Sequence, residues 1–220
     1  MKRGQTNLNF LIGINKPSGM TSHDVVNKIR NICGEGRVGH MGTLDPMACG
    51  VMLIGIGSAA RLNNYLECQD KSYTAKIRFG ISTNTYDSEG EILQENNVPS
   101  KFLNKEFAKD YLDGIVGVSS QKPPAFSAIK KNGKPAYKAA RSGNDIELEP
   151  REIEIYKADL IDIEGDCWIV NFEVSKGTYI RSIAHDIGSD LGCGACLNAL
   201  TRTKIGSISL DQCYSYSIRR

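Results

Sequence analysis

No run of this sequence approaches the length of apolar residues that a membrane-crossing helix needs. The segment Phe10-Leu11-Ile12-Gly13-Ile14 is too short to form the core of a signal peptide, although Lys2 and Arg3 precede it. An excess of charge of one sign is also lacking. A formal net charge of +2 is too small to mark a nucleic-acid binder, so any nucleic-acid footprint would have to come from a local patch. There are three histidines, His23, His40 and His185. His23-Asp24 and His185-Asp186 evoke metal-dependent phosphohydrolases, but both pairs fall in predicted helices and the further histidine and aspartate spacing of such sites is missing. The seven cysteines are odd in number and scattered, which argues for reduced thiols over a disulfide framework. Cys193-Gly194-Ala195-Cys196 is a C-x-x-C without a partner pair, which supports neither zinc nor redox chemistry. Repeats and low-complexity tracts are lacking too. These absences lead us to expect a soluble, cytoplasmic protein with no metal, no cofactor and no membrane partner.

What is present suffices for a real core: 220 residues, 40% of them hydrophobic, can fold as one large domain or two small ones. Phe10 to Asn15 reads as a strand. Thr21 or Ser22 can cap a helix reaching about Ile32, with Val25, Val26, Ile29 and Ile32 on one apolar face. A helix is predicted near Ala59 to Glu67 and an alternating, half-buried strand over Lys71 to Gly80. Asn84 to Gly90 is turn-rich, and Lys105 to Ile115 reads as a helix. Ile153 to Ile163 and Cys167 to Ser175 read as strands joined at Gly165-Asp166. Thr178 to Leu191 follows as a helix and Ile205 to Leu210 as a last strand. Without a regular βαβ rhythm, the expected fold is a single α+β domain over residues 1–220 with a mixed, mainly antiparallel sheet.

Two segments stand apart. Gly39-His40-Met41-Gly42-Thr43-Leu44-Asp45-Pro46-Met47-Ala48-Cys49-Gly50-Val51 places one aspartate among three glycines and a proline. Such a run predicts a tight loop that holds Asp45, followed by a buried strand over Val51 to Gly57. Residues 119–150 differ in another way. From Ser119 to Arg141 there are Lys122, Lys130, Lys131, Lys134, Lys138 and Arg141 but no acid, with Phe126 and Tyr137 among them. Pro123-Pro124 and Asn132-Gly133 break regular structure, suggesting a projecting loop or hairpin with a short helix.

The Gly39–Val51 run resembles the catalytic loop of the TruB family of tRNA pseudouridine synthases, in which the aspartate of G-H-x-G-T-L-D-P is catalytic. Four more segments match in the family's order and cover nearly the whole chain. They are Lys16-Pro17-Ser18-Gly19-Met20-Thr21-Ser22, Lys71-Ser72-Tyr73, Gln121-Lys122-Pro123-Pro124-Ala125-Phe126-Ser127-Ala128 and Ser175-Lys176-Gly177-Thr178-Tyr179-Ile180-Arg181. The resemblance implies the pseudouridine synthase fold and the isomerisation of uridine 55 in the T-loop of tRNAs. Asp45 then acts as nucleophile or base, Arg181 pairs with it as a planar fork, and Tyr73 lies against the uracil and takes the C5 proton. His40 fills the space left by the flipped base and Leu200 lines the uracil pocket. Lys16, Lys176 and Tyr179 are assigned to substrate binding. Lys130, Lys131 and Lys134 become a phosphate clamp on the tRNA T-arm. Asp87 falls in a loop facing the RNA or simply caps a turn.

The sequence departs from the family in two places. The residues after Ile205 are too few for the C-terminal PUA-type domain of typical bacterial members, so that domain's contacts to the acceptor stem are in doubt. Where two consecutive arginines are usual, the run reads Leu200-Thr201-Arg202-Thr203, which removes one cation from the expected RNA face. A monomer without an obligatory protein partner is expected. The competing readings are a guide-RNA-dependent catalytic subunit like dyskerin, a non-catalytic tRNA-folding module and a metal phosphohydrolase.

Overall fold

The computed structural model describes residues 6–127, 129–131, 134–136 and 148–216, with the backbone alone for 63, 64, 130, 131, 134 and 135. In chain order the strands and helices are β1 (Phe10–Lys16), α1 (Ser22–Cys33), β2 (Val38–Met41), β3 (Cys49–Ile56), α2 (Asn63–Leu66), β4 (Lys71–Phe79), β5 (Ile81–Thr83) and β6 (Ile92–Glu95). Then come α3 (Lys105–Gly114), β7 (Gly117–Gln121), β8 (Lys130–Lys131), β9 (Lys134–Pro135), β10 (Arg151–Glu164) and β11 (Cys167–Val174). The last are α4 (Ile180–Asp190), β12 (Ala195–Ile205), β13 (Ile208–Ser209) and β14 (Tyr214–Ser215). The chain clusters into two compact units, Met1–Tyr73 with Leu200–Arg220, and Thr74–Ala199. Strand pairs of both directions beside helices make this the expected α+β class. Among the described residues, no helix is long and apolar enough to cross a membrane.

In the first unit the strands lie in the order β14-β1-β3-β12. Antiparallel pairing of β1 with β3 runs from Phe10↔Ile56 to Lys16↔Gly50, and β2 joins β3 through Val38↔Ile56 to Met41↔Leu53. Strand β3 is almost entirely buried, which is why its sequence is a continuous apolar run. Helix α1 starts with a capping box: the Thr21 hydroxyl accepts from the Asp24 amide at 3.1 Å, and the Asp24 carboxylate accepts from the Thr21 amide at 2.9 Å. It ends at Gly34 in the left-handed region, φ 64°. Its inner face, Val25, Val26 and Ile29, packs with Ile14, Val38, Met52, Ile54 and Ile56.

The second unit orders its strands β12-β4-β11-β10-β7. β10 and β11 form a long hairpin closing at Glu164↔Cys167, and β7 borders it through Gln121↔Arg151. Aromatic rings fill the space under α3. Trp168, fully buried, meets Phe79 edge-on at 4.6 Å between centroids and donates its indole N–H to the Phe102 carbonyl at 2.7 Å.

Three expectations need correction. The Gly39–Val51 run is not loop throughout: Gly39 to Met41 belong to β2 and Cys49 onward to β3, leaving Gly42 to Ala48 as the loop. Glycine was read as a breaker there, but strand pairing overrides the local preference: Gly39 pairs with Gly55 of β3, and Gly50 pairs with Lys16 of β1 and Arg202 of β12. The helix near Ala59 to Glu67 is a 3-10 helix over Gly57–Leu62 followed by the single turn α2. The last strand was misplaced: β12 covers Ala195–Ile205, and Gly206 at φ 54° turns the chain into the short β13.

Gly188 lies on α4 where a Cβ would sit 2.0 Å from the Ala195 backbone nitrogen. A Gly-to-Ala change inside a helix ordinarily gains about 1 kcal/mol. Here the overpacking outweighs that gain, so Gly188→Ala should lower stability by about 1–3 kcal/mol. Urea titration checks it, and a raised unfolding midpoint would contradict the close approach.

Candidate active site

In the first unit the loop from Gly42 to Ala48 is fixed on both sides of Asp45. The Ser22 hydroxyl accepts from the Leu44 amide and donates to the Leu44 carbonyl, each at 2.9 Å. The Pro46 carbonyl accepts from the Gly19 amide at 2.8 Å and from the Lys16 ammonium at 3.3 Å. Lys16 is completely buried, and its ammonium also donates to the carbonyls of Pro17 at 2.9 Å and Met20 at 2.7 Å. The Ser18 hydroxyl donates to the Met47 carbonyl at 2.8 Å, and the Ala48 amide to the Asp45 carbonyl at 3.1 Å. The lysine-proline turn and the aspartate loop are thus one hydrogen-bonded body, with Asp45 half-buried on it. Its buried ammonium makes Lys16 a support under the loop, a different place from a surface contact to substrate.

A second buried cation meets the same loop. Arg202, 1% exposed, donates through Nη2 to the Gly42 carbonyl at 3.2 Å, through Nη1 to the Thr43 carbonyl at 3.3 Å and through Nε to the Val51 carbonyl at 2.8 Å. The sequence reading had left Arg202 as the remaining cation of an RNA face; its burial puts it inside instead. The sequence offered no local signal for this, because Thr201-Arg202-Thr203 reads as a polar run.

Of the other predicted residues of this unit, Tyr73 is 7% and Leu200 6% exposed. His40 is half-buried on β2, and its buried Nδ1 has no hydrogen-bond partner among the described residues. Burial, and then the Arg202 charge, push its pKa below the ordinary histidine value, which favours a neutral ring. Lys71, two residues before Tyr73 on β4, donates to the carbonyls of Glu67 at 2.8 Å and Gln69 at 2.6 Å. Burial first, and then Arg202, lower its pKa to about 8.

In the second unit Arg181 occupies the first turn of α4 with its side chain 5% exposed. It donates to the carbonyls of Thr85 and Phe126, both at 3.0 Å, and its Nη1 lies 3.5 Å from Asp87 Oδ2. Asp87 Oδ1 accepts from the Thr85 hydroxyl at 2.6 Å and the Glu89 amide at 3.1 Å. Asp87 is therefore a turn cap whose other oxygen faces Arg181. Between Thr85 and Asp87, Tyr86 sits at φ 64° with its ring stacked on His185 at 3.8 Å. Start and aim of α4 are set by Gln121, which accepts from the Tyr179 amide at 2.8 Å and donates to the Tyr179 carbonyl at 3.1 Å. Neither Gln121 nor the Asp87–Arg181 pair was foreseen, because residues some sixty and ninety positions apart meet only through the sheet.

The Arg151 guanidinium lies over the Tyr179 ring, 5.8 Å from its centroid, and Lys176 is exposed. Lys130, Lys131 and Lys134 fall on the two-stranded ribbon β8-β9, paired as Lys130↔Pro135 and Lys131↔Lys134. The Asn132-Gly133 tip, Tyr137, Lys138 and Arg141 lie outside the described residues. Among the described residues, no group of three or more His, Cys, Asp or Glu is placed to hold a metal ion.

Residues 30–180 match the TruB family pseudouridylate synthase (N terminal domain). The chain belongs to the TruB family of pseudouridylate synthases. It is 43% identical over 212 residues to the tRNA pseudouridine synthase B of Francisella philomiragia subsp. philomiragia, covering 96% of this chain and 70% of that one. To the protein of the same name from Francisella tularensis subsp. tularensis it is 42% identical, covering 97% and 70%. Among solved structures it is similar to a chain in a Cbf5-Nop10-Gar1 complex, with TM-score 0.69, 28% identity and 94% of this chain covered. Another is an H/ACA RNP bound to a substrate RNA containing 2'-deoxyuridine, with TM-score 0.67, 26% identity and 93% covered. This chain spans 52% and 50% of the lengths of those two solved chains.

The Asp87 geometry makes a specific expectation. Asp87→Asn keeps the size of the cap and removes the charge facing Arg181, whereas Asp87→Ala removes both. Breaking a buried charge pair from one side costs about 3–5 kcal/mol. Asp87→Ala should approach that loss, and Asp87→Asn should lose less stability while still reducing turnover. Thermal melts with parallel rate measurements decide it, and an alanine variant as stable as wild type would contradict the contact.

Proposed function

We propose that this protein isomerises uridine 55 in the T-loop of tRNAs to pseudouridine, as a monomer in the cytoplasm, with residues 1–220 serving as a single catalytic domain. The observation that carries this reading is the hydrogen-bonded frame around Asp45, which holds one carboxylate on an otherwise neutral loop. The reaction breaks the C1′–N1 bond of uridine, turns the base and rejoins it through C5. A carboxylate beside the sugar can serve as nucleophile or base for that exchange.

In this proposal Arg181 is the cation that aims the Asp45 carboxylate. Tyr73 lies against the uracil and removes the C5 proton, while Leu200 supplies an apolar wall. The target must leave the tRNA stack, at a cost of a few kcal/mol. His40, with a neutral ring favoured by its burial, suits the space the base vacates without adding a charge. Tyr179, Lys176 and the lysines of the β8-β9 ribbon meet the RNA backbone. Lys16 serves through the loop it supports. The guide-RNA-dependent alternative draws on the likeness to the Cbf5 complex at 28% identity. The 43% identity to a tRNA pseudouridine synthase B favours the stand-alone reading.

Incubating the purified protein with an unmodified tRNA transcript, EDTA and no guide RNA should yield pseudouridine at position 55 alone. Product only when a guide is added would transfer the protein to the guide-dependent class. Asp45→Asn should abolish product while leaving tRNA affinity largely intact, and turnover within tenfold of wild type would overturn the catalytic assignment. Tyr73→Phe should bind and stall in single turnover.

The ribbon lysines should act on affinity and not on chemistry. If each neutralises a phosphate, replacing Lys130, Lys131 or Lys134 by Ala reduces the log–log salt slope of tRNA binding by about 1. Titrations at several salt concentrations test this, and an unchanged slope in the triple variant would remove these lysines from the interface.

A further inference from the structure

We infer that Arg202 is a positioning residue for the reaction: its side chain and backbone together close the two ends of the loop that carries Asp45. The inference rests on the assignment of Asp45 as the catalytic carboxylate.

The loop leaves β2 at Gly42 and enters β3 near Gly50. At its start, the Arg202 guanidinium binds the carbonyls of Gly42 and Thr43. Past its end, Nε of the same side chain binds the Val51 carbonyl at 2.8 Å. The backbone of the same residue completes the closure. Arg202 is the register partner of Gly50 in the parallel pairing of β12 with β3. Gly50 has φ 108°, and a Cβ there would sit 2.2 Å from the Arg202 carbonyl oxygen. Only glycine lets the two strands approach so closely. Gly42 at φ 87° turns its carbonyl toward the fork. One residue thus sets the separation of the loop's ends, and the span between them has little freedom left.

The chemistry of the side chain suits the task. A guanidinium presents five N–H donors in a rigid plane and stays charged at any working pH, so it can hold carbonyls in three directions at once. An ammonium offers a point charge on a flexible stem and cannot reproduce that spread. Because Arg202 is 1% exposed, its charge is committed to the loop and is no contact for an RNA phosphate. A loop shift of about 1 Å is enough to lower a rate by about 100-fold when reacting atoms must align.

The test compares wild type, Arg202→Lys, Arg202→Gln and Asp45→Asn by unfolding midpoint, tRNA affinity and single-turnover rate at saturating enzyme. The expected result for Arg202→Lys is a cooperative melt, affinity within threefold of wild type and a single-turnover rate lowered about 100-fold. Arg202→Gln should fall at least as far. A rate within threefold of wild type for Arg202→Lys, with Asp45→Asn inactive, would overturn the inference while leaving Asp45 in place. So would a loss confined to affinity, which would return Arg202 to the RNA face. Collapse of midpoint, affinity and rate together in both variants would also overturn it, by making Arg202 a general stability residue. An active Asp45→Asn would instead remove the assignment on which the inference rests.

Discussion

Buried cations bonded to backbone carbonyls are the constraint on which the rest of this structure depends. Lys16 and Arg202 are each essentially inaccessible, and both direct donors at carbonyls of the segment around Asp45. Removing an ammonium or guanidinium from water costs several kcal/mol before any partner is found. A carbonyl buried without a donor costs about 1–3 kcal/mol. Each group therefore offsets the penalty of the other, and the arrangement is stable only when loop, turn and β12 are in place together. The irregular segment from Gly42 to Ala48 is held in place for that reason.

The second unit meets the same problem with a different device. Arg181 is enclosed by two carbonyls and the Asp87 carboxylate, and Asp87 is held by the turn it caps. Gln121 fixes the backbone at Tyr179, two residues earlier, so the helix that carries Arg181 starts from a defined point. Tyr86 accepts a left-handed conformation, unusual for an aromatic residue, between the two groups that touch Arg181. Stacking on His185 and the hydrogen bond from the Leu197 amide to the Tyr86 carbonyl hold it there.

Much of this was legible in the sequence, and the failures share a cause. Helix α1 could be read from Thr21 and the spacing of Val25, Val26 and Ile29, because caps and periodicity are local signals, although Ile32, expected on the same face, is 69% exposed. The hairpin of β10 and β11 could be read from two β-rich runs joined at Gly165-Asp166. Strand β12 was missed because Gly192 and Gly194 precede it and Thr201-Arg202-Thr203 looks polar. Its polar members are accounted for by partners far away in the chain, as Arg202 is by Thr43 and Val51. The motifs singled out Asp45 and Arg181 and left Asp87 as either an RNA-facing loop residue or a turn cap, while the Asp87–Arg181 contact, the Gln121 bonds to Tyr179 and the buried place of Arg202 needed the folded chain.

The central claim is that the Asp45 loop is fixed before RNA arrives. Amide hydrogen exchange in the free protein measures that directly. The amides of Leu44, bonded to Ser22, and Ala48, bonded to Asp45, report on the two sides of the carboxylate. The account predicts protection at both sites comparable to that of the buried strand β3. Exchange at the rate of an exposed turn, with protection appearing only when tRNA is added, would contradict it.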